Sequence, residues 1–379
     1  MYEIIDRYID KLIKGSTPNK PLWNIEFIRA GKEPKWNYID GCMMTSLLEL
    51  YNQSQNKKYL DFVESYVSYF VSEDGSIKGY DPNKHVLDDI CESRVLFDLY
   101  KITKNEKYKK AIDLTYSHIK MQPRTYEGSF WHKDIYPNQV WLDGLFMAQV
   151  FYMRYETEYN KCQNYNDIKT QFATVRKRMY DSNKGLYYHG YDASKCAFWA
   201  DKETGLSKNF WLRAIGWYTV ALVDILGYIN EAIYEDYDFY KKLLKEVIDG
   251  LLKYQDKESK MFWQVVDQPN REGNYLETSG SSMIAYAILK GVRLHVLPDR
   301  YEQIGLDIFN GICNKYVCEK DGDLNVGGIC LVAGLGPENN PRRDGSYEYY
   351  ISEPVVENDA KGIGPLILAY TEVKKIIEK

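Results

Sequence analysis

Two stretches lying 49 residues apart, "YNQSQNKKY" at 51–59 and "YKITKNEKY" at 100–108, share the pattern Tyr-x-x-[Ser/Thr]-x-Asn-x-Lys-Tyr. A period of that size marks a repeated supersecondary unit, each copy needing its neighbours to cover its apolar face. Each copy leads into a helix-period stretch and then a glycine loop, "EDGSI" at 73–77 and "YEGSF" at 126–130, with "NKGLYY" at 183–188 in the next unit. Apolar residues recurring every 3.6 positions predict about twelve helices. Their expected spans are 2–14, 38–53, 56–71, 87–102, 105–121, 138–155, 159–180, 209–228, 236–255, 276–294, 298–318 and 360–377. In 105–121 the apolar stripe is Tyr108, Ala111, Ile112, Thr115 and Ile119, and Thr103 with Glu106 reads as a capping box. Strand patterns are confined to short loop pieces such as "GGICLVAG". The expected fold is all-α, an (α/α)6 barrel of six helix pairs, with residues 1–379 as a single domain. The helices entered from long loops (38–53, 87–102, 138–155, 209–228, 276–294 and 360–377) form the inner ring in this reading. Their N-terminal ends and the loops then share one mouth, where a site would be built.

Composition narrows the function classes. With 45% hydrophobic and 27% charged residues the chain is globular in type, and a net charge of -5 without a long basic block argues against a nucleic-acid partner. No apolar run approaches the roughly 18–20 residues that span a bilayer. "MYEIIDRYIDKLIKG" places charges where a signal peptide needs a continuous apolar core, so a cytoplasmic location is expected. Seven cysteines (Cys42, Cys91, Cys162, Cys196, Cys313, Cys318, Cys330) are odd in number and lack a CxxC pair. Neither a disulfide framework nor a zinc site is expected, and they read as small core residues rather than reactive thiols. HExxH, P-loop, GxSxG and dinucleotide fingerprints are missing, so neither metal nor cofactor is expected. The oligomeric expectation is a monomer or a weak homo-oligomer.

Within "VWLDGLFMAQVFY" at 140–152, Asp143 interrupts an apolar stripe with no Lys or Arg within four residues on either side. Such a carboxylate is costly to desolvate. Pro137 and Asn138 read as stop and cap, which places Asp143 in the second helical turn, where amides already have partners. Asp88 lies 13 residues after Gly75 and Asp143 lies 15 after Gly128, so they take nearly equivalent places in successive repeats. Helix axes about 8–10 Å apart let two such carboxylates approach across a cleft, splitting their pKa values and leaving one as a general acid. Capping is the other use open to Asp88, in "HVLDDICESR". Around the pair, "GSFWHKDIYPNQVW" offers Trp131, His132, Lys133 and Tyr136; "GLYYHGYD" offers His189; "NFWLRAIGWY" offers Trp211, Arg213 and Trp217. Aromatic faces beside polar groups suit a sugar ring, and Lys133 or Arg213 could meet the carboxylate of an acidic sugar. Trp211 and Trp217 could equally pack the core. Trp141 and Tyr38 complete the expected substrate-binding set.

These phrases resemble the unsaturated rhamnogalacturonyl hydrolases of glycoside hydrolase family 105, related to the unsaturated glucuronyl hydrolases. The resemblance is carried in family order from about residue 85 to 365 by "HVLDDI", "GSFWHKDIYPNQVWLDGLFM", "GLYYHGYD", "WADKETGLSKNFWLRAIGW", "ETSGSSM" and "RDGSYEYYISEPVVENDAKGIGP". Leu212 stands where the family tends to have a smaller residue, and Tyr191 where tryptophan is common. The resemblance implies an (α/α)6 barrel acting on a 4,5-unsaturated uronic acid at the non-reducing end of lyase-generated oligosaccharides, with galacturonyl-rhamnose from rhamnogalacturonan the expected unit. It also implies hydration of the C4=C5 vinyl ether instead of attack at the anomeric carbon. By the match, Asp143 protonates C4 and then helps deprotonate the water, and Asp88 orients the sugar and holds the proton on Asp143. His189 bonds ring hydroxyls, while Lys133, Arg213 and the tryptophans shape the uronate and aglycone subsites.

Three alternatives predict different behaviour. An inverting glycosidase would use the two aspartates on a saturated acidic oligosaccharide. A sugar epimerase on this architecture would rely on paired histidines, and the chain has five histidines in all. A non-enzymatic helical repeat protein would use its concave face to bind a partner.

Overall fold

The computed structural model describes residues 2–320 and 323–378. Six inner segments follow one another around a ring: Tyr38–Ser54, residues 91–103, residues 142–158, Leu212–Leu226, Thr278–Arg293 and Ala360–Ile377. Each packs on the next, and Ala360–Ile377 closes the circle against Tyr38–Ser54. The outer helices Lys57–Phe70, Glu106–Met121, Tyr165–Met179, Tyr234–Leu252 and Tyr301–Tyr316 lie against them. Tyr2–Gly15 flanks the closing helix, with Tyr2 stacked on Tyr370 at 6.0 Å. The fold is thus the expected helical toroid.

Burial separates the two rings. Every residue of Leu212–Leu226 is buried, whereas Lys57–Phe70 buries only Tyr59, Leu60, Val63, Tyr66, Val67 and Phe70. A helix apolar on all sides must lie between others, and one with a single apolar stripe must lie outside. One apolar cluster runs from Ile5 to Val373.

The repeated nonapeptide is a helix-to-helix connector. Ser54 and Thr103 return their hydroxyls to Leu50 O and Leu99 O, and Gln55 and Lys104 take left-handed φ values of 55° and 57°. Asn56 and Asn105 then accept from Lys58 N and Lys107 N, capping the outer helices. The capping box expected from Thr103 and Glu106 is therefore replaced: Thr103 ends the inner helix and Asn105 starts the outer one.

Two inner spans differ from expectation. The 87–102 segment begins as tight turns at Leu87–Asp89 and Cys91–Arg94 before the α-helix Val95–Thr103. Leu87 N donates to His132 O there, holding the segment's start against the neighbouring loop. In 138–155, Asn138 has φ 62° and caps nothing, and Gln139–Trp141 is a strand paired with Gly190–Asp192. The helix starts at Leu142, so Asp143 lies in its first turn rather than its second. All three strand residues are buried, and a short run of buried residues carries no period to tell strand from helix. A π-turn, Leu145–Gln149, follows.

The described strands form four two-stranded antiparallel pairs, all in loops. "GGICLVAG" contributes Ile329–Cys330, paired with Val355–Val356. Two short helices, Ile25–Ala30 and Tyr347–Ser352, were not expected. The cysteines are all free, but Cys196 and Cys318 are exposed rather than core residues. No helix among the described residues is long and apolar enough to cross a membrane.

Candidate active site

A cavity of about 530 Å³ opens at the loop end of the ring, within the roughly 300–1,000 Å³ usual for small-molecule sites. Asp88 and Asp143 both line it, with Tyr38, His132, Lys133, Tyr136 and Trp141. Backbone pairing between loops gathers them. Val86 bridges Lys133, His132 N donates to Gln139 O, and Leu142 N donates to His189 O. Gly190 pairs with Trp141, and a Cβ on it would stand 2.4 Å from the Leu335 side-chain tip and 3.2 Å from the Trp141 ring, so a larger residue there would have to displace Leu335.

The two aspartates have different neighbours. Lys133 Nζ lies 2.5 Å from Asp88, and His132 Nε2 lies 3.3 Å from it. Burial alone would raise the Asp88 carboxyl, but Lys133 and His132 outweigh it and hold it below the ordinary carboxylate range. Burial of the Lys133 ammonium is likewise outweighed by Asp88, which keeps it charged. His132 is 3% exposed, and burial lowers its pKa to about 4. It is neutral near pH 7. Asp89, next in the chain, is pushed up to about 6 by burial, with Lys35 3.7 Å away as partial relief.

Asp143 is 8% exposed. Its Oδ2 stands 3.3 Å from His189 Nε2, but the approach is not aligned as a hydrogen bond, and both atoms are buried without a hydrogen-bond partner. His189 Nδ1 lies 2.7 Å from the Tyr350 hydroxyl. With that phenol donating to Nδ1, the ring hydrogen sits on Nε2, facing Asp143. The two aspartates thus have separate surroundings: Asp88 is paired with Lys133, and Asp143 lies beside His189.

Other expected binders lie behind the wall. His189 is 0% exposed and does not line the cavity. Its Nε2 faces Asp143. Trp211 stacks on Tyr350 and tilts against His189 at 4.7 Å. Trp217 stacks on Phe146 at 4.4 Å and meets Tyr38 edge-on. Arg213 is 1% exposed and donates to Cys330 O and Leu331 O, fastening the loop whose next residues, Val332 and Ala333, line the cavity. Glu277, in "ETSGSSM", pins the same loop by accepting from Cys330 N at 3.1 Å while capping Thr278–Arg293. In this structure Arg213 and Glu277 direct polar atoms, and Trp211 and Trp217 a ring face, to neighbouring parts of the barrel.

Sequence reasoning assigned no role to Glu26, Lys35, Asp89, Met147, Val332, Ala333 or Arg343, which also line the cavity. Arg343 and Tyr350 belong to "RDGSYEYYISEP", a phrase that carried the resemblance without a role for either residue. Glu26 comes from the unexpected helix Ile25–Ala30 and is tied to Lys361 at 3.0 Å.

A closed helical toroid with two differently surrounded carboxylates in a cleft at its loop end is an arrangement able to carry acid–base chemistry on a small molecule. The family model described as Glycosyl Hydrolase Family 88 matches residues 6–377. The solved glycoside hydrolase from family 105 of C. acetobutylicum ATCC 824 is similar at 40% identity, with a TM-score of 0.90 and 99% of each chain covered. Protein Atu3128 of Agrobacterium fabrum is 34% identical over 233 residues, 60% of this chain and 97% of that protein. The unsaturated rhamnogalacturonyl hydrolase YesR of Bacillus subtilis is 26% identical over 270 residues, 69% of this chain and 72% of that protein. The chain belongs to the glycoside hydrolases of families 88 and 105.

Proposed function

We propose that the chain, acting as one catalytic unit over its whole length, releases a 4,5-unsaturated uronic acid from the non-reducing end of lyase-generated oligosaccharides. The observation that carries this reading is the unequal pair of aspartates. Asp143 has a buried oxygen free of hydrogen bonds in the cavity wall, while Asp88 is bound to Lys133 and held low. Inverting hydrolysis needs a second carboxylate to take a proton from water. A carboxylate neutralised by a lysine at 2.5 Å is a weak base for that task. Hydration of a vinyl ether needs one group to give a proton and then accept one, which suits a single mobile acid.

In this reading Asp143 donates its proton to C4, and the cation at C5 is stabilised by the ring oxygen. Water adds at C5 and returns a proton to Asp143. The hemiketal opens to a C5 ketone, leaving at C1 a hemiacetal that expels the second sugar as an alcohol. Asp88, fixed by Lys133, accepts hydrogen bonds from the ring hydroxyls, and His189 holds Asp143 in position. Trp141, stacked on His132 at 4.4 Å, offers an aromatic wall. The similarity to the unsaturated rhamnogalacturonyl hydrolase of Bacillus supports galacturonyl-rhamnose as the unit cleaved.

The test is an ultraviolet assay with matched saturated and unsaturated disaccharides. Loss of the conjugated double bond's absorbance, with release of the second sugar from the unsaturated compound alone, is the expected result. Cleavage of the saturated compound at a comparable rate favours the inverting glycosidase and rejects hydration. Asp143→Asn is expected to lower kcat by several orders of magnitude with an unchanged circular dichroism spectrum, because asparagine has no proton to give; full activity in that variant ends the assignment.

A further inference from the structure

Resting on the reading of Asp143 as the proton donor, we propose that Tyr350 is a positioning residue for that proton. By donating to His189 Nδ1 it fixes the imidazole hydrogen on Nε2, and an N–H facing Asp143 Oδ2 keeps the acid's own proton on Oδ1. Tyr350 is fully buried in the short helix Tyr347–Ser352 and does not line the cavity, so it acts only through the groups it touches.

The direction of each hydrogen bond follows from what its atoms have available. Burial pushes the Tyr350 phenol well above its ordinary range, so the oxygen keeps its hydrogen. Among the described residues the hydroxyl has one partner, His189 Nδ1 at 2.7 Å. If Nδ1 carried the ring hydrogen it would donate to the phenol, and the phenolic hydrogen would be left buried without an acceptor. Donation by the phenol satisfies both atoms and leaves the ring hydrogen on Nε2, 3.3 Å from Asp143 Oδ2. That nitrogen then has no lone pair with which to accept a proton from the acid. Of the two Asp143 oxygens, Oδ2 is buried against His189, and the residue lines the cavity, which leaves Oδ1 toward the substrate. The opposite tautomer would let Nε2 draw the proton to Oδ2, on the side away from the sugar.

The scaffold holds these groups in register. Tyr350 stacks on Trp211 with the planes 15° apart, Trp211 tilts against His189 at 4.7 Å, and Trp141 meets the His189 ring edge-on at 5.5 Å. Gln264 Nε2 donates to Tyr350 O at 3.2 Å, and Ser346 caps the short helix by accepting from Tyr349 N at 3.1 Å. His189 O accepts from Leu142 N, the residue before Asp143, at 3.1 Å. Phenol, imidazole and carboxyl thus form one chain of contacts, each supplied by a different segment. Tyr350→Phe removes the donor from that chain and keeps the ring that stacks on Trp211.

The test reads the His189 ring directly through its nitrogen-15 chemical shifts at about pH 8, above the ordinary histidine range, with His189→Gln assigning the signals. In the Asp143→Asn protein the asparagine amide can serve either tautomer, so the ring answers to Tyr350. The Nε2–H form is expected there. Adding Tyr350→Phe is expected to mix the two tautomers and draw the two ring signals together. Tyr349→Phe, which removes a hydroxyl from the same short helix, is expected to keep the Nε2–H form. In the active protein Tyr350→Phe is expected to lower kcat by roughly 10- to 100-fold with KM within about threefold, the scale on which groups that orient a site histidine act. An unchanged tautomer in the double variant, the same mixing in Tyr349→Phe, or a kcat in Tyr350→Phe within about threefold of the parent overturns the proposal. The shifts are read without substrate, so cleavage of saturated sugars would end the hydration reading while the tautomer still stands or falls on Tyr350.

Discussion

Asp88 and Asp143 look alike in the sequence, and their surroundings make them different groups. Lys133 brings a charge to Asp88 that offsets the cost of burial, so Asp88 is charged at neutral pH. A carboxyl held low by a cation contributes stability that is fully present above its unfolded pKa and is lost as pH falls through its folded pKa. Without Lys133, burial dominates and the carboxyl rises. Lys133→Gln is therefore expected to move the acid limb of the kcat/KM profile toward neutral by about one pH unit, and a profile that keeps its acid limb unmoved would separate Asp88 from turnover. At this scale the residue types were legible: Asp143 stood out because no cation lay near it in sequence. Its partner was not, because His189 reaches it through a pairing between loops almost fifty residues apart in the chain.

At the level of elements, the nonapeptide repeat does what repeats do, and its hydrogen bonds are nearly identical in both copies. Asn56 and Asn105 each satisfy an orphan amide at the first turn of an outer helix. Asn105→Ala is expected to cost about 1 kcal/mol in urea unfolding, as is Asn56→Ala, and the double variant about their sum because the sites share no partner. The period-3.6 reading located the helices well where a long amphipathic or wholly apolar segment had room to form, as in Glu106–Met121 and Leu212–Leu226. It failed at the two inner segments that carry the aspartates. There the chain gives up helix at its first turn to pair with a neighbouring loop, and a three-residue strand buried on both faces leaves no period to read.

The ring as a whole depends on closure between the last helix and the first inner one. Gly364 lies against Cys42 so closely that a Cβ there would stand 2.9 Å from the Cys42 Cβ and carbonyl oxygen. Gly364→Val is expected to wedge that seam and lower stability by about 1–3 kcal/mol, the usual cost of overpacking. Because one apolar cluster extends from Ile5 to Val373, the unfolding curve should keep a single transition with a lower midpoint. A separate early transition would show that the ring comes apart in independent pieces.

Much of this protein was determined by sequence alone: a helical toroid, its inner and outer helices, and an acidic, aromatic mouth bearing Asp88 and Asp143. Those properties follow from periodicity and from residue types that keep their character wherever they are placed. Which cation meets which anion was decided by the tertiary structure. Arg213 lay in the most suggestive phrase and went to the scaffold, whereas Arg343 came to line the cavity from a loop two hundred residues beyond Asp143. Charge pairing and desolvation act over a few ångströms in space, and sequence separation carries almost no information about distances that short.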